Sequence, residues 1–197
     1  MLKVGITGGI GSGKTTACRK FAILGIPTYY ADEEAKRLMV EDRVLIRQVK
    51  NLFGKEAYLP SGKLNRKHIA SIAFNDKSKL AALNAAVHPA VAKDSMRWFK
   101  QQKGCPFALQ EAALFYESGS YKRMDCMITV TAPVEIRMER VMKRDGISKE
   151  EVMARISNQI DEREKVKRAD FVIYNDPNHN LIQQIVKIYH QLSILKK

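Results

Sequence analysis

The stretch that decides the fold lies at residues 8–15 and reads Gly-Gly-Ile-Gly-Ser-Gly-Lys-Thr. It fits the pattern G-x-x-x-x-G-K-[ST], with Gly8 and Gly13 as the two fixed glycines. An apolar segment at residues 2–7 precedes it, and a helical pattern at residues 14–24 follows it. In this context, between a buried strand and a helix, the pattern indicates a phosphate-binding loop rather than a glycine-rich turn with a chance lysine.

The loop is predicted to bind the phosphates of ATP through its backbone. Glycines adopt conformations closed to other residues, so successive N–H groups can face inward toward phosphate oxygens. The helix N-terminus adds a partial positive charge. Lys14 is expected to neutralise the β- and γ-phosphates, and the Thr15 hydroxyl is expected to ligate Mg²⁺. The residues predicted to contact the nucleotide are Gly9, Ile10, Gly11, Ser12, Gly13, Lys14, Thr15 and Thr16.

Short apolar runs along the chain are predicted to be strands. They occupy residues 2–7, 27–31, 107–112, 126–131 and 171–174. Helical patterns separate them, and strand–helix alternation favours an α/β fold whose parallel sheet is covered on both faces. We therefore predict a five-stranded parallel sheet of the P-loop kinase type, with a helical insertion and a helical lid.

Two segments, the predicted insertion and the predicted lid, lie outside the predicted sheet. Residues 33–103 are too long for one crossover and show helical spacing of apolar residues, broken by a Pro-Ser-Gly turn at 60–62. We predict that they form a substrate-binding insertion, because such segments usually supply specificity. The predicted lid covers residues 137–167. The segments 1–32, 104–136 and 168–197 remain as the predicted nucleotide-binding core.

The predicted lid consists of two helices joined by a turn at residues 145–147. Ser148 opens the second helix, and Glu151 three residues later completes a capping box. Arg155 and Gln159 are expected on one face of that helix, since they are four residues apart. A last helix, at about residues 180–194, is expected to pack on the sheet through one apolar face.

Arg137, Arg140 and Arg144 are spaced so that they share one face of the first lid helix. A row of arginines that closes over ATP could stabilise charge on a transferred phosphoryl group. The alternative is a salt-bridged face in contact with solvent, because several glutamates lie nearby. We expect the solvent face for Arg137.

Asp32 ends the second predicted strand, where ligands of open α/β sheets usually bind. A carboxylate at this position could accept the proton of an attacking hydroxyl or help to hold the metal. It could equally be the N-cap of a helix that begins at Glu33, because aspartate is a favoured capping residue. The residues alone leave both interpretations open.

The composition limits the classes of protein. The net charge of +13 suits either nucleic acid or phosphorylated small molecules, but no polybasic tail or basic patch interleaved with aromatic residues is visible. We therefore expect phosphorylated small molecules and no nucleic acid. No apolar run approaches the roughly 20 residues that span a bilayer, so we expect no membrane partner and a cytoplasmic protein. Cys18, Cys105 and Cys126 are expected to be free thiols.

Over essentially its whole length, the sequence resembles the dephospho-coenzyme A kinase family. The loop with its preceding Gly5-Ile6-Thr7 and the later Ala31-Asp32 pair are similar to that family's motifs. Further landmarks follow in the family's order. They are Leu64-Asn65-Arg66, His88-Pro89-Ala90-Val91, residues 114–119, Arg140, Arg144-Asp145, and the segment from Ala169-Asp170 to Asn175. The loop alone is shared by many kinases, whereas the ordered set is much more specific.

The resemblance implies the last step of coenzyme A biosynthesis, in which ATP phosphorylates the ribose 3′-hydroxyl of dephospho-CoA to give CoA and ADP. It implies that Asp32 is the general base and that Lys14 is catalytic. It also implies that Arg140 and Arg144 act as catalytic lid arginines, and that the insertion binds dephospho-CoA. We expect a monomer or a weak homo-oligomer.

Arg66, His88 and Asn175 each keep two interpretations. The family interpretation makes Arg66 and His88 contacts to dephospho-CoA, whereas the alternative for His88 is a helix that starts at Pro89. Asn175 follows the fifth predicted strand, near the expected position of the adenine, although its side chain could serve only a turn.

The sequence departs from the family's usual Pro-Leu-Leu-Phe-Glu run near the third strand, and reads Gln-Glu-Ala-Ala-Leu-Phe-Tyr-Glu at residues 110–117. Glu111, Glu117 or neither could therefore reach metal-bound water. The main alternative function is another P-loop kinase that acts on a small molecule or nucleotide. A non-enzymatic or nucleic-acid-linked P-loop protein is the second alternative.

Overall fold

The computed structural model describes residues 1–195, apart from the side chains of Phe74 and Lys77. The strands are β1 (Leu2–Thr7), β2 (Thr28–Tyr30), β3 (Phe107–Glu111), β4 (Cys126–Thr131) and β5 (Phe171–Tyr174). The helices are α1 (Lys14–Ile23), α2 (Ala31–Glu41), α3 (Arg43–Phe53), α4 (Arg66–Asn75), α5 (Lys77–Gln101), α6 (Val134–Asp145), α7 (Lys149–Ser157), α8 (Glu162–Lys167) and α9 (Leu181–Ile194).

The five strands form one sheet in the order β2-β3-β1-β4-β5, and every neighbouring pair is parallel. The prediction of a five-stranded parallel α/β sheet is confirmed. β1 is the central strand, and its Val4 and Ile6 side chains are completely buried. Because parallel strands end at the same edge, the turn after β1 lies beside the ends of β3 and β4.

The main core lies between the sheet and helices α1 and α9. Phe21 of α1 and Phe107 of β3 are both fully buried, and their rings meet edge to face at 6.1 Å. The last helix packs on the sheet as predicted, since Ile185, Ile188 and Leu192 are buried in the same core. Gly25 ends α1 with a φ of +79°, a conformation that favours glycine.

The three cysteines are free, as predicted. Burial raises the pKa of the Cys126 thiol to about 12. Burial and the nearby Glu111 carboxylate raise the pKa of Cys18 further above its ordinary range. Both thiols are therefore protonated and uncharged at neutral pH.

The chain forms two compact units. One comprises residues 1–30 and the chain from Phe99 onward, and the other comprises Ala31–Trp98. The second unit is helical, as expected for most of residues 33–103, and Leu45, Val49 and Phe53 of α3 are central to its core.

Of two local features of the second unit, the turn at residues 60–62 is confirmed, whereas the alternative of a helix that starts at Pro89 is wrong. The turn at residues 60–62 is present, and Tyr58 and Leu64 pair across it as an isolated antiparallel bridge. Pro89 does not start a helix, because α5 continues through it. The proline removes one N–H from the hydrogen-bond ladder, but the helix continues because apolar residues such as Val87 and Val91 pack on either side of it.

Within residues 1–195, none of the helices has both the length and the apolar character that a bilayer-spanning helix requires.

Candidate nucleotide-binding site

The turn between β1 and α1 is a compact glycine-rich loop, and two of its glycine positions have no room for a side chain. Gly13 has a φ of +94°, and a Cβ at this position would lie 2.0 Å from Nδ2 of Asn175. Gly11 has a φ of +79°, and its Cβ would lie 2.3 Å from the Arg137 carbonyl oxygen. The two glycines are therefore required both by backbone conformation and by the close approach of neighbouring groups.

The carbonyl groups of the loop are held from outside by three side chains. The Ile10 carbonyl accepts from Nε of Arg137 at 3.0 Å. The Gly11 carbonyl accepts from Nη1 of Arg140 at 3.4 Å, and the Ser12 carbonyl accepts from Nδ2 of Asn175 at 2.7 Å. Three successive carbonyls of the loop are thus bound by residues distant in the sequence.

The first N–H groups of the loop also have side-chain acceptors. The Gly9 N–H donates to Oε2 of Glu162 at 3.1 Å, and the Ile10 N–H donates to Oε1 of Gln159 at 3.0 Å. A phosphate oxygen at these two positions must therefore displace the glutamate and the glutamine. The N–H groups of Thr15 and Thr16 lie in the first turn of α1, where no intrahelical carbonyl is available to them.

Lys14 and Glu111 approach each other beside the loop. Lys14 is the first residue of α1, and its Nζ lies 4.0 Å from Oε1 of Glu111, the last residue of β3. Both side chains are 12% exposed. Glu117 instead pairs with the fully buried Lys165 at 3.2 Å. It also accepts from the Ile160 N–H at 3.0 Å. Of the two acids that the sequence left open, Glu111 is the one that lies next to the loop lysine.

Arg137 does not face solvent, and that prediction is wrong. The residue is only 4% exposed, and its Nη1 forms an ion pair with Oε2 of Glu162 at 3.1 Å. It fits against the loop because glycine leaves the space for it: a Cβ on Gly9 would lie 2.4 Å from Nη2 of Arg137. The helical spacing between Arg137 and Arg140 could have indicated this position, since both arginines contact loop carbonyls from the same face of α6.

Arg144, one turn further along α6, is exposed and contacts its neighbour. Its Nε and Nη2 donate to the two carboxylate oxygens of Asp145 at 2.7 and 3.0 Å. These hydrogen bonds lower the pKa of Asp145. Arg155 of α7 donates to the same carboxylate at 3.0 Å. Arg144 is therefore part of an exposed charged cluster at the turn between α6 and α7.

The segment predicted to be a lid contains residues of three helices, α6, α7 and α8, rather than two. The capping box of Ser148 and Glu151 at the start of α7 is confirmed. However, α7 ends at Ser157, so Gln159 lies beyond the helix, where it reaches the loop. The additional helix α8 begins after Asp161, whose side chain accepts from the Arg163 N–H.

Replacing Arg137 with alanine is expected to lower the free energy of unfolding by about 2–4 kcal/mol. The change leaves the Glu162 carboxylate and the Ile10 carbonyl without this donor at a largely buried position. Urea denaturation of both proteins measures the difference. Arg163→Ala is the matched control, because Arg163 is an exposed arginine of α8; it should change stability by less than about 0.5 kcal/mol. An equally small effect for Arg137→Ala would show that the ion pair does not stabilise the fold.

Asp32, Arg66 and His88, the predicted acceptor-side residues, all belong to the second compact unit. Asp32 is the second residue of α2 rather than its N-cap, and it is exposed. Arg66 is the exposed first residue of α4, which Asn65 caps. His88 is exposed in the interior of α5. The roles of these three residues remain predictions.

A phosphate-binding loop between the central strand of a parallel sheet and the following helix defines the class of P-loop nucleotide-binding proteins. The profile of one family, described as dephospho-CoA kinase, matches residues 2–180. The chain belongs to the dephospho-CoA kinase family, and is therefore a kinase for which ATP is the expected donor.

Relatives and solved structures agree with this assignment. A dephospho-CoA kinase of Bacteroides fragilis is 37% identical over 187 residues, which cover 95% of this chain and 91% of the relative. One of Chlorobaculum tepidum is 39% identical over 198 residues, which cover 97% and 95%. The crystal structure of a Thermus thermophilus protein has a TM-score of 0.83 at 34% identity and covers 100% of this chain and 98% of its own.

Two further structures place the fold in a wider group. Dephospho-CoA kinase from Campylobacter jejuni has a TM-score of 0.71 at 29% identity, with 97% of this chain and 96% of that chain covered. Shikimate kinase from Bacteroides thetaiotaomicron has a TM-score of 0.57 at 14% identity, with 98% and 99% covered. The second likeness concerns the fold alone.

Proposed function

We propose that the protein transfers the γ-phosphoryl group of ATP to the ribose 3′-hydroxyl of dephospho-CoA, giving CoA and ADP. The observation that carries the proposal is the family match over residues 2–180, which includes the loop with Lys14 beside Glu111. A second compact unit, Ala31–Trp98, is available as the acceptor-binding part of the chain.

The donor half of the reaction uses the loop and the start of α1. The N–H groups at this helix N-terminus receive the phosphates, and Lys14 neutralises charge that moves toward the β-phosphate during transfer. Positioning and charge neutralisation carry most of the catalysis, because a ribose hydroxyl is a poor nucleophile.

Mg²⁺ fits the donor set of this site. Within residues 1–195 there is no cluster of three or more His, Cys, Asp or Glu side chains suited to a metal, so the ion would take most of its ligands from phosphate and water, as Mg²⁺ usually does. We assign the Thr15 hydroxyl to it directly and Glu111 to its bound water. When bound, the ion neutralises phosphate charge.

The acceptor half is assigned to residues of the second unit and the lid. Asp32 accepts the proton of the 3′-hydroxyl as the general base, and its exposed position on α2 leaves the carboxylate accessible to a substrate. Arg66 and His88 bind dephospho-CoA. Arg140 and Arg144 stabilise charge on the transferred group, which requires Arg144 to exchange the Asp145 carboxylate for phosphate.

A panel of acceptors tests the proposed function. The purified protein is incubated with ATP and Mg²⁺ and with dephospho-CoA, adenosine, nucleoside monophosphates or shikimate, and ADP release is followed for each. We expect turnover with dephospho-CoA at least about a hundredfold faster than with any other acceptor, because hydrogen-bonded recognition discriminates strongly. Faster turnover of another acceptor by the folded protein would support the alternative, a different small-molecule kinase.

A further inference from the structure

Asn175 has a fixed main chain at the edge of the sheet. It follows β5 directly, and its N–H donates to the carbonyl of Thr131, the last residue of β4, at 2.8 Å. Its own carbonyl accepts from Nη2 of Arg140 at 3.0 Å. Because its N–H and its carbonyl are both hydrogen-bonded, the main chain of Asn175 fixes the position from which the side chain extends.

The side chain of Asn175 contacts the phosphate loop. Its Nδ2 donates to the Ser12 carbonyl at 2.7 Å, the shortest of the three hydrogen bonds that hold loop carbonyls. The same nitrogen lies against the backbone of Gly13, where an added Cβ would approach it to 2.0 Å. The sequence had placed this residue near the adenine, whereas the structure gives its amide a partner in the loop.

A carbonyl held on one side of the loop orients an N–H on the other side. The Ser12 carbonyl and the Gly13 N–H belong to one planar peptide group, in which they point in opposite directions. The hydrogen bond from Asn175 fixes this plane. Arg137 acts in the same way on the Ile10 carbonyl and hence on the Gly11 N–H. The N–H between them, that of Ser12, donates to the Gly9 carbonyl at 3.1 Å.

We propose that Asn175 is a positioning residue that aims the Gly13 N–H at a bound phosphate by holding the Ser12 carbonyl. An N–H oriented before the ligand arrives costs no reorganisation when the phosphate binds, so its contribution to affinity is retained in full. The inference rests on the proposed function only in taking ATP as the source of that phosphate.

Pyrophosphate with Mg²⁺ is the probe that separates this role from a contact with adenine, since it has phosphates but no base. Binding of pyrophosphate and of ADP is measured by calorimetry for the wild type, Asn175→Ala and Asn175→Leu. Leucine keeps the approximate shape of asparagine and removes its donor, so it distinguishes the hydrogen bond from packing. Asn178→Ala is the matched control, because Asn178 is an exposed asparagine in the same loop. Thermal melts establish that each variant is folded.

Both Asn175 variants are expected to bind pyrophosphate and ADP about tenfold or more weakly than the wild type, since in each the Gly13 N–H that donates to the charged phosphate is no longer held in position. Asn178→Ala should bind as the wild type does. In kinetics, the KM for ATP should rise while the KM for dephospho-CoA stays unchanged. In amide NMR spectra, the downfield shift of the Gly13 N–H on pyrophosphate binding should be large in the wild type and reduced in both variants.

Three results would overturn the inference. If Asn175→Leu bound pyrophosphate as tightly as the wild type, Asn175 would contribute only packing and not the proposed hydrogen bond. Weaker binding of ADP alone would assign the residue to the base. If the Gly13 N–H of the wild type showed neither the shift nor a through-hydrogen-bond coupling to ³¹P, its hydrogen bond to the phosphate would be excluded. This result requires no variant. None of these measurements needs an acceptor, so failure of the proposed function would appear separately, as absent CoA formation by a protein that still binds pyrophosphate.

Discussion

Replacing Lys14 with alanine is expected to lower kcat/KM for ATP by about a thousandfold or more and to weaken ATP binding. Lys14 begins α1 beside the loop and Glu111, and it is the cation assigned to the β- and γ-phosphates. Removing one such group from a site that excludes water usually costs a hundredfold to a thousandfold in rate, and binding is lost in addition. An assay of ADP release gives the rate, and calorimetry with a nonhydrolysable ATP analogue gives the affinity.

The matched control for Lys14→Ala is Lys20→Ala, a lysine at the other end of the same helix. That variant should retain close to wild-type kinetics, because Lys20 lies nearly two turns, about 9 Å along the axis, from the first residue of the helix. If Lys14→Ala kept more than about a tenth of wild-type kcat/KM, the loop lysine could not hold the transferred phosphates in the assigned way.

Replacing Asp32 with asparagine is expected to lower kcat by about a hundredfold to ten-thousandfold while ATP binding stays unchanged. Asparagine has the shape of aspartate but cannot accept the proton of the attacking hydroxyl, and a general base usually contributes this much. Single-turnover rates measure the chemical step, and calorimetry with the ATP analogue measures binding.

Glu33→Gln is the control for Asp32→Asn, because Glu33 is the neighbouring exposed carboxylate in the first turn of α2. Both changes remove one negative charge near the positive end of the helix dipole, so any loss of helix stability should be similar in the two. If both variants lost kcat to the same extent, the effect of Asp32→Asn would be explained by helix stability. If Asp32→Asn kept near-normal kcat, Asp32 could not be the general base.

The sheet and the loop could be predicted because their signals are local. Each strand is a short apolar run, and the loop fits a pattern whose second fixed glycine, Gly13, has a positive φ angle. Helix ends were equally accessible where a cap defines them, as at Ser148, whose capping box the structure contains. In these places the residues that determine the conformation are also the residues from which it can be predicted.

The surroundings of the loop could not be predicted because they depend on contacts distant in the chain. Arg137 is separated from Ile10 by 127 positions, and its burial follows from the space left by Gly9 and not from its own helix. Asn175 reaches Ser12 across 163 positions. Local spacing predicts which face of a helix a residue occupies, but not which element covers that face. The continuation of α5 through Pro89 has the same origin, since packing outweighs a local preference.

Glu111 illustrates the intermediate case. Two acids lie near the end of the third strand in the sequence, and only the tertiary arrangement distinguishes them. Glu111 lies beside Lys14, whereas Glu117 pairs with the buried Lys165. Strand register explains this difference. Glu111 is paired in the sheet with Ile6, one residue before the end of β1, whereas Glu117 lies beyond the strand end.

The identity of the phosphorylated product is the most direct test of the central claim. Dephospho-CoA and ATP are incubated with the protein and Mg²⁺, and the product is analysed by ³¹P NMR and by comparison with authentic CoA. We predict one new phosphomonoester on the ribose 3′-hydroxyl, formed in equal amount with ADP and about a thousandfold or more slowly with Lys14→Ala. Phosphate on another hydroxyl, or ADP released with inorganic phosphate and no CoA, would contradict it.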